Sequence, residues 1–348
     1  MNAMKRAAII AIGAMAWLPA LASAMEALPA LPPIPSDNPM SAAKVELGKQ
    51  LFFDPRLSID GTVSCNSCHN VMASGTDNRS VSIGVSGLKG GRSAPTVWNA
   101  AFLTAQFWDG RAATLEDQAK GPILNPIEMG MPNAQAVLDR LNRIPGYRDQ
   151  FLAVFGGNTP LTYDNVAKAI AAYERTLVTP NSPFDRYLRG EEGGLSEKAK
   201  LGMQLVQDVG CTGCHNGPNF AGPASMPMGM SFFQKFPVFP GSTYDSQYRL
   251  TQDLGRYEVT KQDEDKNMWR VPTWRNVALT APYFHNGSVA TLDEAVRVMA
   301  KTQVNIDLNG GQVDAIVAFL NSLTGELPLQ MFPQLPATPN GVVIPVER

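Results

Sequence analysis

Cys65-Asn-Ser-Cys68-His69 and Cys211-Thr-Gly-Cys214-His215 are two copies of one pattern, and they contain all four cysteines and two of the three histidines of the 348-residue chain. The pattern Cys-x-x-Cys-His is the attachment motif of c-type haem. Each thiol can form a thioether with a haem vinyl group, and the histidine that follows can bind the iron on its proximal side. We therefore expect two covalently bound c-type haems, with His69 and His215 as proximal ligands.

The motif alone leaves two other uses of these residues open. A pair of zinc sites would use the four cysteines and both histidines. A pair of redox-active disulfides would use the cysteines and leave the histidines without a role. Duplication of the motif and the adjacent histidines favour haem, and so does the export signal described next.

The amino terminus has the pattern of an export signal. Two cations, Lys5 and Arg6, precede an apolar run at residues 7–21, and residues 22–24 read Ala-Ser-Ala, a small-x-small cleavage site. We expect residues 1–24 to be a cleaved signal peptide and the mature protein to lie in the periplasm. Because the run is shorter than the roughly 20 residues that a membrane span needs, we expect no membrane span.

Length and charge restrict the remaining classes. At roughly 150 residues per domain, the length predicts about two domains, and a hydrophobic content of 44% suffices for ordinary soluble cores. The formal net charge of −2 offers no basic field to gather phosphates. We therefore exclude nucleic acid as a partner.

The rest of the chain is duplicated as well. A shift of 177 residues superposes residues 95–115 on residues 272–292, with nine identities in 21 ungapped positions. A predicted helix precedes each haem motif and an amphipathic helix ends each half, with apolar residues three and four apart. The pattern predicts a mainly helical fold of two cytochrome c-like domains related by internal duplication, each with one c-type haem.

The repeat also sets the domain boundaries. We expect an N-terminal haem domain at residues 25–178 and a C-terminal haem domain at residues 179–326. Pro180 and Pro183 mark the linker between the two domains, because they stop the preceding helix. The Pro-rich residues 327–348 are expected to pack back on the N-terminal domain.

The distal side of each iron decides whether a haem carries electrons or binds a small molecule. In the second half, Met299 lies on a predicted helix and can supply a thioether ligand opposite His215. The 177-residue shift places Pro122 at the equivalent position of the first half, and proline has no atom that can bind iron. We expect a six-coordinate second haem and an open first haem.

Two polar residues lie near the open distal face that we predict. Glu128 follows Pro122 by six residues, and Gln118 precedes it by one helical turn. A carboxylate there can take a proton from one oxygen of a peroxide and return it to the other, and an amide can orient the peroxide.

With these residues the chain resembles the bacterial dihaem cytochrome c peroxidases over the whole mature sequence, in runs at residues 47–58, 64–70, 105–112 and 276–287. The resemblance implies reduction of hydrogen peroxide to water, with electrons from a small periplasmic cytochrome c or a blue-copper protein (a cupredoxin). It implies a low-potential peroxidatic haem in the N-terminal half and a high-potential haem in the C-terminal half. It also leads us to expect a homodimer.

The resemblance carries over to individual residues. It implies haem ligation by His69, His215 and Met299, catalysis by Glu128, and peroxide positioning by Gln118. Further residues that it implies are a tryptophan between the haems, Trp108, and two backbone carbonyls for one calcium ion, those of Thr280 and Pro282.

This chain departs from the family pattern at two positions. Val85 stands where many members have a histidine that closes the oxidised peroxidatic haem, so we expect a haem that is open without reductive activation. Ser93 stands where the family usually offers an asparagine to calcium, which weakens the calcium prediction.

Two other functions stay open. In the first, the chain is a relative of the dihaem enzyme that oxidises protein tryptophans. That enzyme also lacks the closing histidine, but it has a tyrosine where this chain has Met299. A dihaem electron carrier would need a sixth ligand on both irons, and the first half offers only Met129 and Met131 nearby.

Overall fold

The computed structural model describes residues 25–223, 226–227 and 229–338, so the expected signal peptide and residues 339–348 lie outside the described residues. The described chain is mainly helical, as predicted, with two short antiparallel strands. The elements are α1 (Ala42–Phe53), α2 (Cys65–Cys68), α3 (Leu115–Leu124), α4 (Ala134–Asn142), α5 (Pro145–Phe155), α6 (Tyr163–Glu174), α7 (Pro183–Leu188), α8 (Glu197–Asp208), β1 (Phe233–Lys235), α9 (Thr243–Gln247), α10 (Tyr257–Thr260), β2 (Met268–Arg270), α11 (Leu292–Val304) and α12 (Gly310–Ser322). Within these residues no helix is both long and apolar enough to cross a membrane.

Each half is built around the crossing of its first and last long helices. In the first half α1 crosses α6 at Gly48, where a Cβ atom would collide with the carbonyl of Ala169. In the second half α8 crosses α12 at Gly202, where a Cβ atom would collide with the carbonyl of Ala315. The absence of a side chain on both glycines allows the same close helix crossing in each half.

The central block of the repeat also has one conformation in both halves. Asn99 and its counterpart Asn276 have left-handed backbones, with φ of 63° and 60°, and each begins a short 3-10 turn. Thr114 caps α3 and its counterpart Thr291 caps α11, each through a side chain that accepts a backbone N–H. These pairs are related by the 177-residue shift that the sequence predicted.

The buried apolar residues separate along the same boundary. The first core lies between Leu47 and Leu177 and includes the apolar faces of α1, α5 and α6. Two further cores lie between Phe184 and Leu323, one against α8 and α12 and one beside α11.

The C-terminal segment returns to the first half. The guanidinium of Arg56 donates to the carbonyl of Pro336 at 2.9 Å, and the Tyr173 hydroxyl donates to the side chain of Gln330 at 3.0 Å. Residues 327–338 therefore lie along the N-terminal half, not on the half that precedes them in sequence.

The two halves meet through a symmetric pair of backbone hydrogen bonds. The Ser93 amide donates to the carbonyl of His285 at 2.7 Å, and the Arg270 amide donates to the carbonyl of Trp108 at 2.9 Å. Ser93 and Arg270 are counterparts under the 177-residue shift, and so are Trp108 and His285. The junction is thus approximately twofold symmetric.

Candidate haem and catalytic site

Each Cys-x-x-Cys-His motif folds into one helical turn. The His69 amide donates to the Cys65 carbonyl at 2.9 Å, and the His215 amide donates to the Cys211 carbonyl at 3.0 Å. The turn brings both cysteines and the histidine of a motif together.

The four thiols are unpaired and resist ionisation. Burial raises the pKa of each of them, that of Cys211 to about 11. Since a thiolate is the reactive form in disulfide exchange, these environments do not favour a redox disulfide. Across the described ranges, no three His, Cys, Asp or Glu side chains are grouped as ligands for a metal ion.

The side chains of both motif histidines are fixed by a backbone carbonyl. Nδ1 of His69 lies 3.0 Å from the carbonyl of Pro95, and Nδ1 of His215 lies 3.1 Å from the carbonyl of Phe220. A proton on Nδ1 satisfies each carbonyl and leaves the lone pair of Nε2 free for a metal. Burial lowers the pKa of both imidazoles, that of His215 to about 4, so both are neutral at pH 7. The residues of both motifs fit a c-type haem.

The two predicted distal positions have the same place in their helices as well as in the repeated sequence. Pro122 lies inside α3 and Met299 lies inside α11, each eight residues after the threonine that caps its helix. Met299 packs against the third core. At this shared position of the two helices, α11 has a side chain that can bind iron and α3 does not.

Glu128 is a partly buried carboxylate on the turn that follows α3. One of its oxygens accepts a hydrogen bond of 2.7 Å from the side-chain amide of Asn125. Burial raises the pKa of Glu128, although the charge of Arg111 and the hydrogen bond from Asn125 oppose the rise. A carboxyl group with a raised pKa is suited to proton transfer near neutral pH.

Gln118 lies on the same helix as Pro122 and is partly buried. The structure places no hydrogen bond between it and Glu128, and its side-chain amide has no hydrogen-bond partner among the described residues. That amide is available to a ligand.

The loop that contains Val85 packs directly on the Glu128 turn. The Val85 amide donates to the Glu128 carbonyl at 3.0 Å, and Val85 is only 3% exposed. A Cβ atom on Gly84 would collide with the carbonyl of Ile127. Residue 85 is therefore held against the backbone of the predicted catalytic residue, Glu128.

Trp108 lies at the junction of the halves. Its indole N–H donates to the Ser93 carbonyl at 2.8 Å, and its ring packs against the third core.

The predicted calcium carbonyls lie on a nearby loop. The side chain of Asn78 donates to the carbonyls of Leu279 and Ala281, at 2.9 and 2.8 Å. Within the described residues, the carbonyls of Thr280 and Pro282 accept no backbone hydrogen bond, which leaves them available to a cation. Ser93 is 9% exposed, and its hydroxyl lies 3.5 Å from the carbonyl of Arg79.

Sequence reasoning missed the neighbours that hold these residues. Asn125 could have been found, because the side-chain oxygen of an asparagine at a turn commonly accepts a hydrogen bond from the backbone amide two residues later. Here it accepts from the Ile127 amide at 3.0 Å. The approach of Arg111 to Glu128 and of Asn78 to the 279–281 loop depends on tertiary packing and has no local signal.

Several known proteins are similar to this chain. Residues 42–193 match the family described as di-haem cytochrome c peroxidase. The chain is 46% identical to the cytochrome c551 peroxidase of Pseudomonas aeruginosa, over 89% of this chain and 87% of that one. It is 44% identical to the cytochrome c551 peroxidase of Nitrosomonas europaea, over 95% and 94% of the two chains. A crystal structure of a MauG-like protein associated with microbial copper homeostasis is 32% identical, with a TM-score of 0.75, and the match covers 85% of this chain and 93% of that one.

Proposed function

This chain belongs to the di-haem cytochrome c peroxidase family, and we propose that it is a periplasmic peroxidase that reduces hydrogen peroxide to water at a permanently open haem. The reaction consumes one peroxide, two protons and two electrons and yields two waters. The observation that carries the proposal is the pair of equivalent helix positions, Pro122 on α3 and Met299 on α11. One half can supply a sixth iron ligand from that position and the other cannot.

The proposal gives each half one haem and one task. In the N-terminal half, residues 25–178, the haem would be held by Cys65, Cys68 and His69. In the C-terminal half, residues 179–326, it would be held by Cys211, Cys214, His215 and Met299. The separation of the cores at this boundary supports the division. When bound, the haems would supply iron for peroxide chemistry and a route for electrons.

Glu128 performs the proton chemistry in this proposal. Its carboxylate takes a proton from one peroxide oxygen and delivers it to the other, which can then leave as water. Burial favours this transfer because it raises the pKa of the group toward neutrality, while the Asn125 hydrogen bond fixes the carboxylate. The Gln118 amide would hydrogen-bond the peroxide and orient it.

Electrons would cross between the halves at Trp108. Its ring packs on the second half, while its N–H bonds a residue of the first half, Ser93. A small periplasmic cytochrome c or cupredoxin would supply the electrons. We also propose export by residues 1–24, a homodimer, and a calcium ion bound by the carbonyls of Thr280 and Pro282.

Val85 supports the open state of the first haem. A valine has no atom that can bind iron, and its side chain is buried beside Gly130, where an added Cβ would lie 3.0 Å from Val85. The closing histidine of other family members would have to occupy this position.

The spectrum of the oxidised, haem-loaded protein tests the proposal. We expect one high-spin and one low-spin haem, cyanide binding to the high-spin haem only, and peroxide consumption without prior reduction. Two low-spin haems would contradict the open site and favour an electron carrier with Met129 or Met131 as ligand. Oxidation of a protein tryptophan without peroxide turnover by a small donor would favour the tryptophan-oxidising alternative.

A further inference from the structure

The proximal histidine of the second half is stacked on a tryptophan. The ring centroids of His215 and Trp274 are 4.3 Å apart and their planes differ by 19°. The Nδ1 of the same imidazole is bonded to the Phe220 carbonyl. The imidazole is thus held at one edge and across one face.

The second core holds Trp274 in turn. Its ring stacks with Phe220 at 5.5 Å and meets Phe319 edge-on at 6.5 Å. Phe220 and Phe319 are 1% and 0% exposed. Since these partners cannot move without opening the core, the indole presents a fixed surface to His215.

The first half has no such stack. The 177-residue shift places Val97 at the position of Trp274. The next residue, Trp98, directs its indole N–H to the Ala73 carbonyl at 2.9 Å, and no aromatic ring of the described residues is stacked on His69. The two halves therefore differ on the proximal side of the haem site as well as on the distal side.

We propose that Trp274 is a positioning residue that fixes the imidazole plane of His215 and stabilises the oxidised state of the second haem. This inference rests on the proposed function, because it requires His215 to be an iron ligand. The face of an indole is negative and attracts positive charge. An imidazole on ferric iron carries more positive charge than one on ferrous iron, so the stack favours the ferric state. Groups around an axial ligand are an established means of tuning a metal centre.

The experiment compares Trp274→Leu with Trp274→Phe in the haem-loaded protein. Leucine keeps the site apolar but removes the ring, and phenylalanine keeps a ring face. We expect Trp274→Leu to raise the midpoint potential of the second haem and to alter its low-spin EPR signal. Trp274→Phe should leave both near the wild-type values. The first haem is an internal control and should be unchanged in both variants.

The outcomes separate this inference from the proposed function. A wild-type protein without a low-spin, His215-ligated haem would contradict the proposed function. A normal wild-type spectrum together with an unmoved or lowered potential in Trp274→Leu would contradict the role of Trp274 alone. Equal shifts at both haems would also contradict it, because they would indicate general loosening. If Trp274→Leu does not accumulate, Trp274→Met tests the same loss of the ring with a longer and more flexible side chain.

Discussion

Trp108 and His285 occupy equivalent positions in the two halves, and the backbone carbonyl of each accepts an amide hydrogen bond from the opposite half. The donors, Arg270 and Ser93, are equivalent to one another as well. Backbone bonds of this kind are preserved whatever the side chains are. Duplication can therefore hold the junction constant while the side chains on it diverge.

The side chains differ at three equivalent pairs. The second half has Met299, Trp274 and His285 where the first has Pro122, Val97 and Trp108. Two of these changes surround the proposed second haem with a ligand and a stacked ring. In the first half, Pro122 leaves the distal position of the proposed haem without a ligand, and Val97 leaves His69 without a stacked ring.

The catalytic role of Glu128 is tested by Glu128→Gln. The amide keeps the shape of the side chain but cannot accept a proton, so we expect peroxide turnover to fall by about 10²- to 10⁴-fold, the usual contribution of general acid–base catalysis. Steady-state kinetics with a reduced small cytochrome c measure the effect. Asp117→Asn is the matched control, because Asp117 is an exposed carboxylate on α3. Equal rates in wild type and Glu128→Gln would remove Glu128 from the mechanism.

The hydrogen bond from Asn125 to Glu128 is tested by Asn125→Asp. The new carboxylate keeps the oxygen that bonds Ile127 but replaces the donor 2.7 Å from Glu128 with a like charge. A like charge raises the pKa of a carboxyl group. Because the proposed base acts in its ionised form, the acid limb of the rate profile should move up by about 1–3 pH units, with the rate recovering at high pH.

The pH profile of Asn133→Asp provides the control for that variant. Asn133 caps α4, where aspartate is an equally good cap. Its profile should match wild type. An unmoved acid limb in Asn125→Asp would show that Asn125 does not set the pKa of the catalytic group.

Most of the proposed site could be predicted from the sequence, because its main features are local motifs or repeated segments. The haem motifs, the 177-residue shift and the Pro122/Met299 pair are visible without coordinates. The contact between Trp274 and His215 was missed, because 59 positions separate the two residues and Trp274 differs from its counterpart within the repeated block. Only the folded loop brings the two rings together. The effect of the Arg111 charge on Glu128 also depends on tertiary packing and could not be predicted from the sequence.

The absence of a closing histidine is tested by Val85→His. Because residue 85 is held against the Glu128 turn, an imidazole there is near the distal site. We expect the oxidised variant to lose its high-spin haem signal and to turn over peroxide only after reduction. Val85→Thr is the control, since it has the same shape and no imidazole, and it should stay high-spin. A fully active, high-spin Val85→His protein would show that this loop does not reach the haem.

The last prediction concerns stability and a buried carboxyl group. Glu174 is 6% exposed, and its Oε2 has no hydrogen-bond partner among the described residues. Ala169 of α6 and Ala315 of α12 occupy equivalent helix crossings. Five residues after each of them stand Glu174 and Leu320, and Leu320 is also buried. Burial raises the pKa of Glu174 to about 8, whereas an unfolded glutamate ionises near 4.3.

Between these two values the folded protein binds one more proton at this site than the unfolded chain does. The contribution of Glu174 to the free energy of unfolding therefore decreases as pH rises, by about 1.4 kcal/mol per pH unit. Glu174→Gln removes the titration, so its stability relative to wild type should increase steadily from pH 5 to pH 8. Denaturant unfolding of the haem-loaded protein, followed by circular dichroism at each pH, measures the difference. Glu197→Gln, at a side chain that is 89% exposed, should follow wild type at every pH. A constant difference between Glu174→Gln and wild type would mean that Glu174 is ionised in the folded protein over this pH range.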